Sequence, residues 1–98
     1  MILEVAILNI RWGLTTEFEA AFKTASLIIA SMPGYISHEL QHCVERSHRY
    51  ILLVRWHTIE NHTIGFRQSP EYQEWKALLH HFYDPFPTVE HYLNVSSG

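Results

Sequence analysis

Two stretches of this chain are apolar in both strand phases, and no other feature limits its fold as much. Residues 2–12, ILEVAILNIRW, carry Ile2, Ala6, Leu8 and Ile10 on one phase and Leu3, Val5 and Ile7 on the other. Residues 49–57, RYILLVRWH, are apolar in both phases up to Val54. Successive side chains of a strand point to opposite faces, so strands of this kind are buried on both. Two further stretches alternate instead. Residues 35–43, YISHELQHC, set Ile36, His38, Leu40 and His42 against Tyr35, Ser37, Glu39, Gln41 and Cys43. Residues 87–95 set Val89, His91 and Leu93 against Thr88, Glu90, Tyr92 and Asn94. Half-polar strands suit the edges of a sheet. The short polar link at residues 44–48 predicts an antiparallel hairpin between its neighbours.

Helical signals fill the rest. Thr16-Glu17-Phe18-Glu19 has the T-x-x-E form of a capping box and predicts a helix start. Phe18, Ala21, Phe22, Ala25, Ile28, Ile29 and Met32 then recur at helical spacing until Pro33-Gly34 stops the run. Residues 58–86 predict a two-part helix over the sheet. Thr58 caps a short piece through Phe66, and Gly65 loosens it. Ser69 is the cap of the second piece, with Pro70 at its first position. Trp75, Leu78, Leu79 and Phe82 form its apolar face, and Pro85 ends it by driving Asp84 out of the helical region.

The order β-α-β-β-α-β and the right-handed crossover rule predict an α+β, ferredoxin-like, four-stranded antiparallel sheet. Its first and third strands are central, the second and fourth at the edges. The two strands apolar on both phases are the two placed in the middle. Two helices roof only one face of such a sheet. The other face keeps its apolar side chains, and a patch of that size is rarely left open on a monomer. A second copy is therefore expected to cover it, sheet against sheet, as a homodimer. With 98 residues and no linker, the chain reads as one domain over residues 1–95 and a disordered tail over 96–98.

Composition removes several function classes. A net charge of -3 with seven Lys and Arg, and no basic stripe, argues against nucleic acid. The apolar start lacks a basic leader and is too short to span a bilayer, so a soluble cytoplasmic protein without membrane contact is expected. A single cysteine, Cys43, excludes an internal disulfide. No bound metal is expected despite eight histidines: His38 and His42, at i and i+4 of a strand, stand about 13 Å apart. Four scattered glycines make no dinucleotide loop, and no G-x-S-x-G elbow is present.

Several motifs together carry a family resemblance: the first strand closed by Gly13, the Met32-Pro33-Gly34-Tyr35 link into Ser37–Leu40, Val54-Arg55-Trp56 before Thr58-Ile59-Glu60, and Ser69-Pro70-Glu71-Tyr72 opening the long helix. In these the chain resembles the antibiotic biosynthesis monooxygenase (ABM) domain family of dimeric α+β barrel proteins, over nearly its whole length. The resemblance implies a cavity between helices and sheet for a small aromatic or quinone-like molecule. It also implies oxidation by O2 with no cofactor, through a general base and aromatic walls. The chain departs from the family where many members carry a His, at the position matching Phe66. Positions implied for haem degradation fall on Ala6, Phe66 and Lys76, which argues against that activity.

His62 and His38 are the candidate catalytic residues. His62 lies one turn before Phe66; it is either a pocket base or a solvated helix histidine. His38 shares a strand face with Leu40 and is either a pocket group or a satisfied core histidine. Trp56, Phe66, Tyr72 and Trp75 are candidate substrate-binding walls or core. Arg67 pairs either with an anionic substrate or with Glu71. The expected function is a cofactor-independent monooxygenase. The alternative is a non-catalytic small-molecule-binding or stress-associated dimer of the same fold.

Overall fold

The computed structural model describes residues 1–96. Its elements are β1 (Ile2–Asn9), α1 (Thr15–Ala30), β2 (Tyr35–His42), β3 (Arg49–Trp56), a π-helix (Asn61–Phe66), α2 (Pro70–Leu79), a 3-10 turn (His80–Phe82) and β4 (Val89–Tyr92). The sheet order is β2-β3-β1-β4, antiparallel throughout, with the two doubly apolar strands in the centre. This is the ferredoxin-like arrangement the strand phases predict. β1 is shorter than its apolar run; beyond it Ile10 bridges Tyr83 and donates its N–H to His48 O at 2.8 Å. β4 is likewise reduced to four residues.

Ala6, Leu8 and Ile10 of the first strand segment and Tyr50, Leu52, Val54 and Trp56 of β3 face the helices. They pack on Phe18, Phe22, Ala25 and Ile29 of α1 and on Phe66, Trp75, Leu79 and Phe82. The Cα trace measures 37 × 35 × 20 Å, the thickness of one sheet and one helical layer. On the unroofed face Leu3, Val5, Ile51 and Leu53 are only half-buried, and Ile7 is 45% exposed.

Local signals held in some places and not in others. Ser69 caps α2 as expected, its hydroxyl accepting the Tyr72 N–H at 3.1 Å. The capping box at Thr16 is not used. Leu14 is the N-cap, without a side-chain cap, so Thr16 sits inside the first turn. A turn closed by Leu14 N–H to Arg11 O, with Gly13 at φ +81°, sets the helix start instead. α2 ends at Leu79, before Pro85 acts. A bulge at Ile36 also changes the phase of β2: Tyr35 pairs with Trp56 and Ser37 with Arg55. His38 therefore shares the helix side with Tyr35 and Leu40, while Ile36 turns outward. The tail expected to be disordered lies outside the described residues except for Ser96, whose N–H donates to Asn94 Oδ1 at 2.9 Å.

One contact bears directly on the site. Thr58 Oγ1 accepts the Asn61 N–H at 3.2 Å, and Asn61 Oδ1 accepts the Thr58 N–H at 3.0 Å, a reciprocal cap on the turn leading into the π-helix. The Asn61 carboxamide packs directly over Gly34, which has φ +84° and no room for a Cβ. The β2 entry thus holds the start of the segment that carries His62.

Candidate active site

Glu4 stands on the helix-facing phase of β1, one step from Ala6, and is 5% exposed. Three neighbours surround its carboxyl. Trp56, the last residue of β3, donates Nε1–H to Glu4 Oε1 at 2.9 Å. His62, from the π-helix, brings Nε2 to 3.4 Å from the same oxygen. His91 is the register partner of Glu4 on β4, and its Nε2 lies 2.8 Å from His62 Nδ1. The indole of Trp56 stacks on the His62 ring at 5.6 Å and 22°, fixing its plane. π-helical turns widen a helix locally and often carry functional groups; here the turn directs His62 and Phe66 inward together.

Burial governs the charge states. It raises the Glu4 carboxyl from 4.5 to about 7, against the opposing pull of the Trp56 hydrogen bond and the Arg67 charge. It lowers His62 to about 3, with help from Arg67 and His91. Burial and Arg67 lower His91 as well. The 3.4 Å contact is therefore between a neutral imidazole and a carboxyl that titrates near neutrality, rather than an ion pair. The two neutral imidazoles share one proton between His62 Nδ1 and His91 Nε2. An ionised Glu4 favours the His62 tautomer with Nε2–H facing it across 3.4 Å, His91 then donating to Nδ1; a protonated Glu4 favours the other tautomer, in which Nδ1–H donates to His91.

Glu4, Ala6, Leu8 and Leu52 form the floor of a cavity of about 460 Å³, a size that suits a small organic molecule. Phe66, Tyr72, Trp75, Tyr83 and Phe86 are its walls. Phe66 meets Tyr72 at 87° and Trp75 at 79°, near-perpendicular pairs that hold the three rings in fixed orientations. Arg67 reaches the cavity from an exposed position and is the only Lys or Arg among its described lining residues. Tyr83 is buried, and burial with Tyr72 and Glu4 nearby holds its phenol neutral, well above the usual tyrosine range.

His62, Phe66, Arg67, Tyr72 and Trp75 are thus brought to one cavity. His62 is 3% exposed, which overturns the reading of it as a solvated helix histidine. Trp56 is not a wall: it lies behind Glu4 and holds that carboxyl. His38 does not line the cavity. Its Nδ1 is hydrogen-bonded to the Tyr35 hydroxyl at 2.5 Å and its ring meets Phe22 at 5.9 Å, so it is a satisfied histidine packed under α1. Among the described residues the Arg67 guanidinium has no ion-pair partner, so the alternative pair with Glu71 does not form. Sequence reasoning passed over Glu4, His91 and Tyr83. For Glu4 a signal existed: it is the one charge within Ile2–Ile10 and shares the phase of Ala6, Leu8 and Ile10. Among the described residues no group of three or more His, Cys, Asp or Glu is placed to hold a metal ion, and no helix is long and apolar enough to cross a membrane.

Comparison with known proteins places this geometry in context. The profile of the family described as Antibiotic biosynthesis monooxygenase matches residues 1–78. The uncharacterized protein YczJ of Bacillus subtilis (strain 168) is 60% identical over 95 residues, covering 97% of this chain and all of YczJ. A candidate antibiotic biosynthesis monooxygenase of Bordetella bronchiseptica has a crystal structure that superposes with a TM-score of 0.92 at 33% identity, over 97% of each chain. SnoaB of Streptomyces nogalater, a cofactor-independent oxygenase, shares the fold with a TM-score of 0.71 at 21% identity, over 99% of this chain and 93% of SnoaB.

Proposed function

The chain belongs to the antibiotic biosynthesis monooxygenase family, and from that premise we propose that it is a cofactor-independent monooxygenase of a small aromatic or quinone-like substrate, with Glu4 as the general base and His62 as its partner. The observation that carries this reading is a buried carboxyl, titrating near 7, on the floor of an aromatic-walled cavity. A base is most effective when its pKa lies near the working pH. His62, neutral down to about pH 3, is too weak a base to act alone and instead orients the carboxyl and relays its proton. Trp56 fixes the carboxyl from behind, while Phe66, Tyr72 and Trp75 grip a planar ring.

The chemistry balances without a cofactor. Glu4 removes a proton from an activated C–H of the substrate, leaving a delocalised carbanion. The carbanion reduces O2: a CH2 becomes a carbonyl with one oxygen atom, and the other leaves as water. The substrate supplies all the electrons. The proton on Glu4 passes to His62 Nε2 while His62 Nδ1–H passes to His91 Nε2, and His91, at the sheet edge, releases its Nδ1 proton to solvent, so each imidazole ends neutral.

Oxygen uptake over a panel of anthrones and quinols tests this reading. Wild-type protein is expected to consume O2, and Glu4→Gln to lose about 100-fold or more of the rate, the usual size of a general-base contribution. Uptake with no member of the panel, alongside ligand binding in the cavity, would favour the non-catalytic binding protein instead. The half-buried apolar side of the sheet supports a homodimer through that face, which sedimentation equilibrium at micromolar concentration tests. The single cysteine and the charge balance support work in the cytoplasm, testable by cell fractionation.

A further inference from the structure

We propose that the same cavity catalyses a redox-neutral reaction, the interconversion of keto and enol forms of a small aromatic carbonyl compound bearing an anionic group. In this reaction Glu4 moves the proton, Tyr83 binds the enolate oxygen and Arg67 holds the anion. The inference rests on the reading of Glu4 as the base and goes beyond it in reaction and substrate class.

Three observations carry it. First, Arg67 lines the cavity, yet its guanidinium makes no hydrogen bond or ion pair to any described residue. A purely hydrocarbon or neutral quinone guest would make no direct contact with that charge, which otherwise acts on Glu4, His62 and His91 only at a distance. A carboxylate at the mouth would take it in a two-pronged contact. Second, the Tyr83 hydroxyl belongs to a residue only 6% exposed, lines the cavity and is hydrogen-bonded to no described residue. The ring is buried but the hydroxyl opens to the cavity, where it can donate to an oxygen of a guest, and an enolate oxygen is a strong acceptor. Third, Glu4 is the only carboxylate among the described lining residues, and burial lowers both imidazoles that share the cavity, His62 and His80, while it raises Glu4, so Glu4 is the strongest base there for a carbon acid.

The groups facing Glu4 are Trp56 of β3, His62 of the π-helix, His91 of β4, Arg67 beyond the π-helix, and Tyr83 after α2. At pH 7 Arg67 alone of these is charged. The step balances. Glu4 takes the proton from the carbon beside the carbonyl. The C–H electron pair becomes a C=C bond and the carbonyl π pair moves to oxygen, where Tyr83 O–H donates to it. Solvent then protonates that oxygen to give the enol. In reverse, protonated Glu4 returns the proton to carbon. Nothing is oxidised or reduced, so O2 is not needed.

The test uses phenylpyruvate under anaerobic conditions in D2O, following loss of the benzylic proton signal by NMR above the buffer rate. Phenylacetone, which lacks the carboxylate, is the neutral comparison. Wild type is expected to exchange phenylpyruvate protons, with a rate that rises as pH passes about 7. Glu4→Gln is expected to lose about 100-fold or more, and Tyr83→Phe about 10-fold or more. Arg67→Gln raises the concentration needed for half-maximal phenylpyruvate exchange and leaves phenylacetone unchanged. Circular dichroism of each variant separates lost chemistry from lost folding. No exchange by the folded wild type, with oxygen uptake still abolished in Glu4→Gln, overturns this inference and leaves the base assignment standing. Equal exchange by Glu4→Gln overturns both. Exchange of the two probes that responds alike to Arg67→Gln removes the anionic substrate class.

Discussion

Above pH 7 the native protein must hold an ionised carboxylate at Glu4, a residue only 5% exposed. Burial raises that group from 4.5 to about 7, so between those values the native state holds more protons than the unfolded chain and stability falls as pH rises. His62 has the opposite sign. It is lowered from 6.5 to about 3, so stability rises with pH between those values. The two trends oppose each other between 4.5 and 6.5. His38, His80 and His91 are lowered as well and add to the rise below 6.5, so urea unfolding across pH is expected to show stability rising toward pH 6.5 less steeply once Glu4 opposes it above 4.5, then declining toward pH 7. Glu4→Gln keeps an acceptor for Trp56 and abolishes the decline. At pH 8 it is expected to be more stable than wild type by about 1–3 kcal/mol. Trp56→Phe removes a hydrogen bond that holds the carboxyl pKa down. The Glu4 carboxyl resonance, followed by carbon-13 NMR, should then titrate above pH 7. An unchanged midpoint would remove Trp56 from the account. At this scale the sequence concealed the most important group. Glu4 reads as an interruption in an apolar strand, and its phase alone could not say which of two greasy faces would be roofed by helices.

Local patterns named the right elements and sometimes the wrong device. Ser69-Pro70 starts α2 as read, because the cap and the fixed φ act within four residues. Thr16 offered an equally good motif, but the Gly13 turn and Leu14 had already committed the chain two residues earlier. The bulge at Ile36 was invisible in YISHELQH, since alternation describes a strand only while its register is unbroken. Gly34 ties these elements to the site. Gly34→Ala places a methyl on the Asn61 carboxamide at φ +84°, and is expected to cost about 1–3 kcal/mol. Activity should fall with it, because the reciprocal cap before His62 is displaced. Gly13→Ala, at φ +81° with open space around it, is the control. It should cost less and leave activity intact; equal losses of activity would show that Gly34 does not act through Asn61.

As a whole the molecule is a slab 20 Å thick whose central strands are apolar on both sides. Leu53 pairs with Val5, and Ile51 with Ile7, in the middle of the unroofed side. If a second copy covers this side, Leu53→Glu buries an unpaired carboxylate in the interface, at roughly 3 kcal/mol or more. Dimer dissociation should then become easier by about 100-fold, read by sedimentation equilibrium. The fold of the single chain should survive, because Leu53 points away from the helical layer. A substitution that unfolds the chain without changing its assembly would instead mark the face as part of the intrachain core.

What the sequence alone determined was the ladder of elements and their order in the sheet. Apolar phase, caps and turn residues act over a few positions and leave their mark in the string of letters. The tertiary structure alone decided that residues 4, 56, 62 and 91 meet. Their meeting depends on strand register, on the widened turn at Asn61–Phe66 and on which sheet face the helices cover. Contacts between residues distant in the chain arise from packing the whole core, and no short stretch of sequence encodes them.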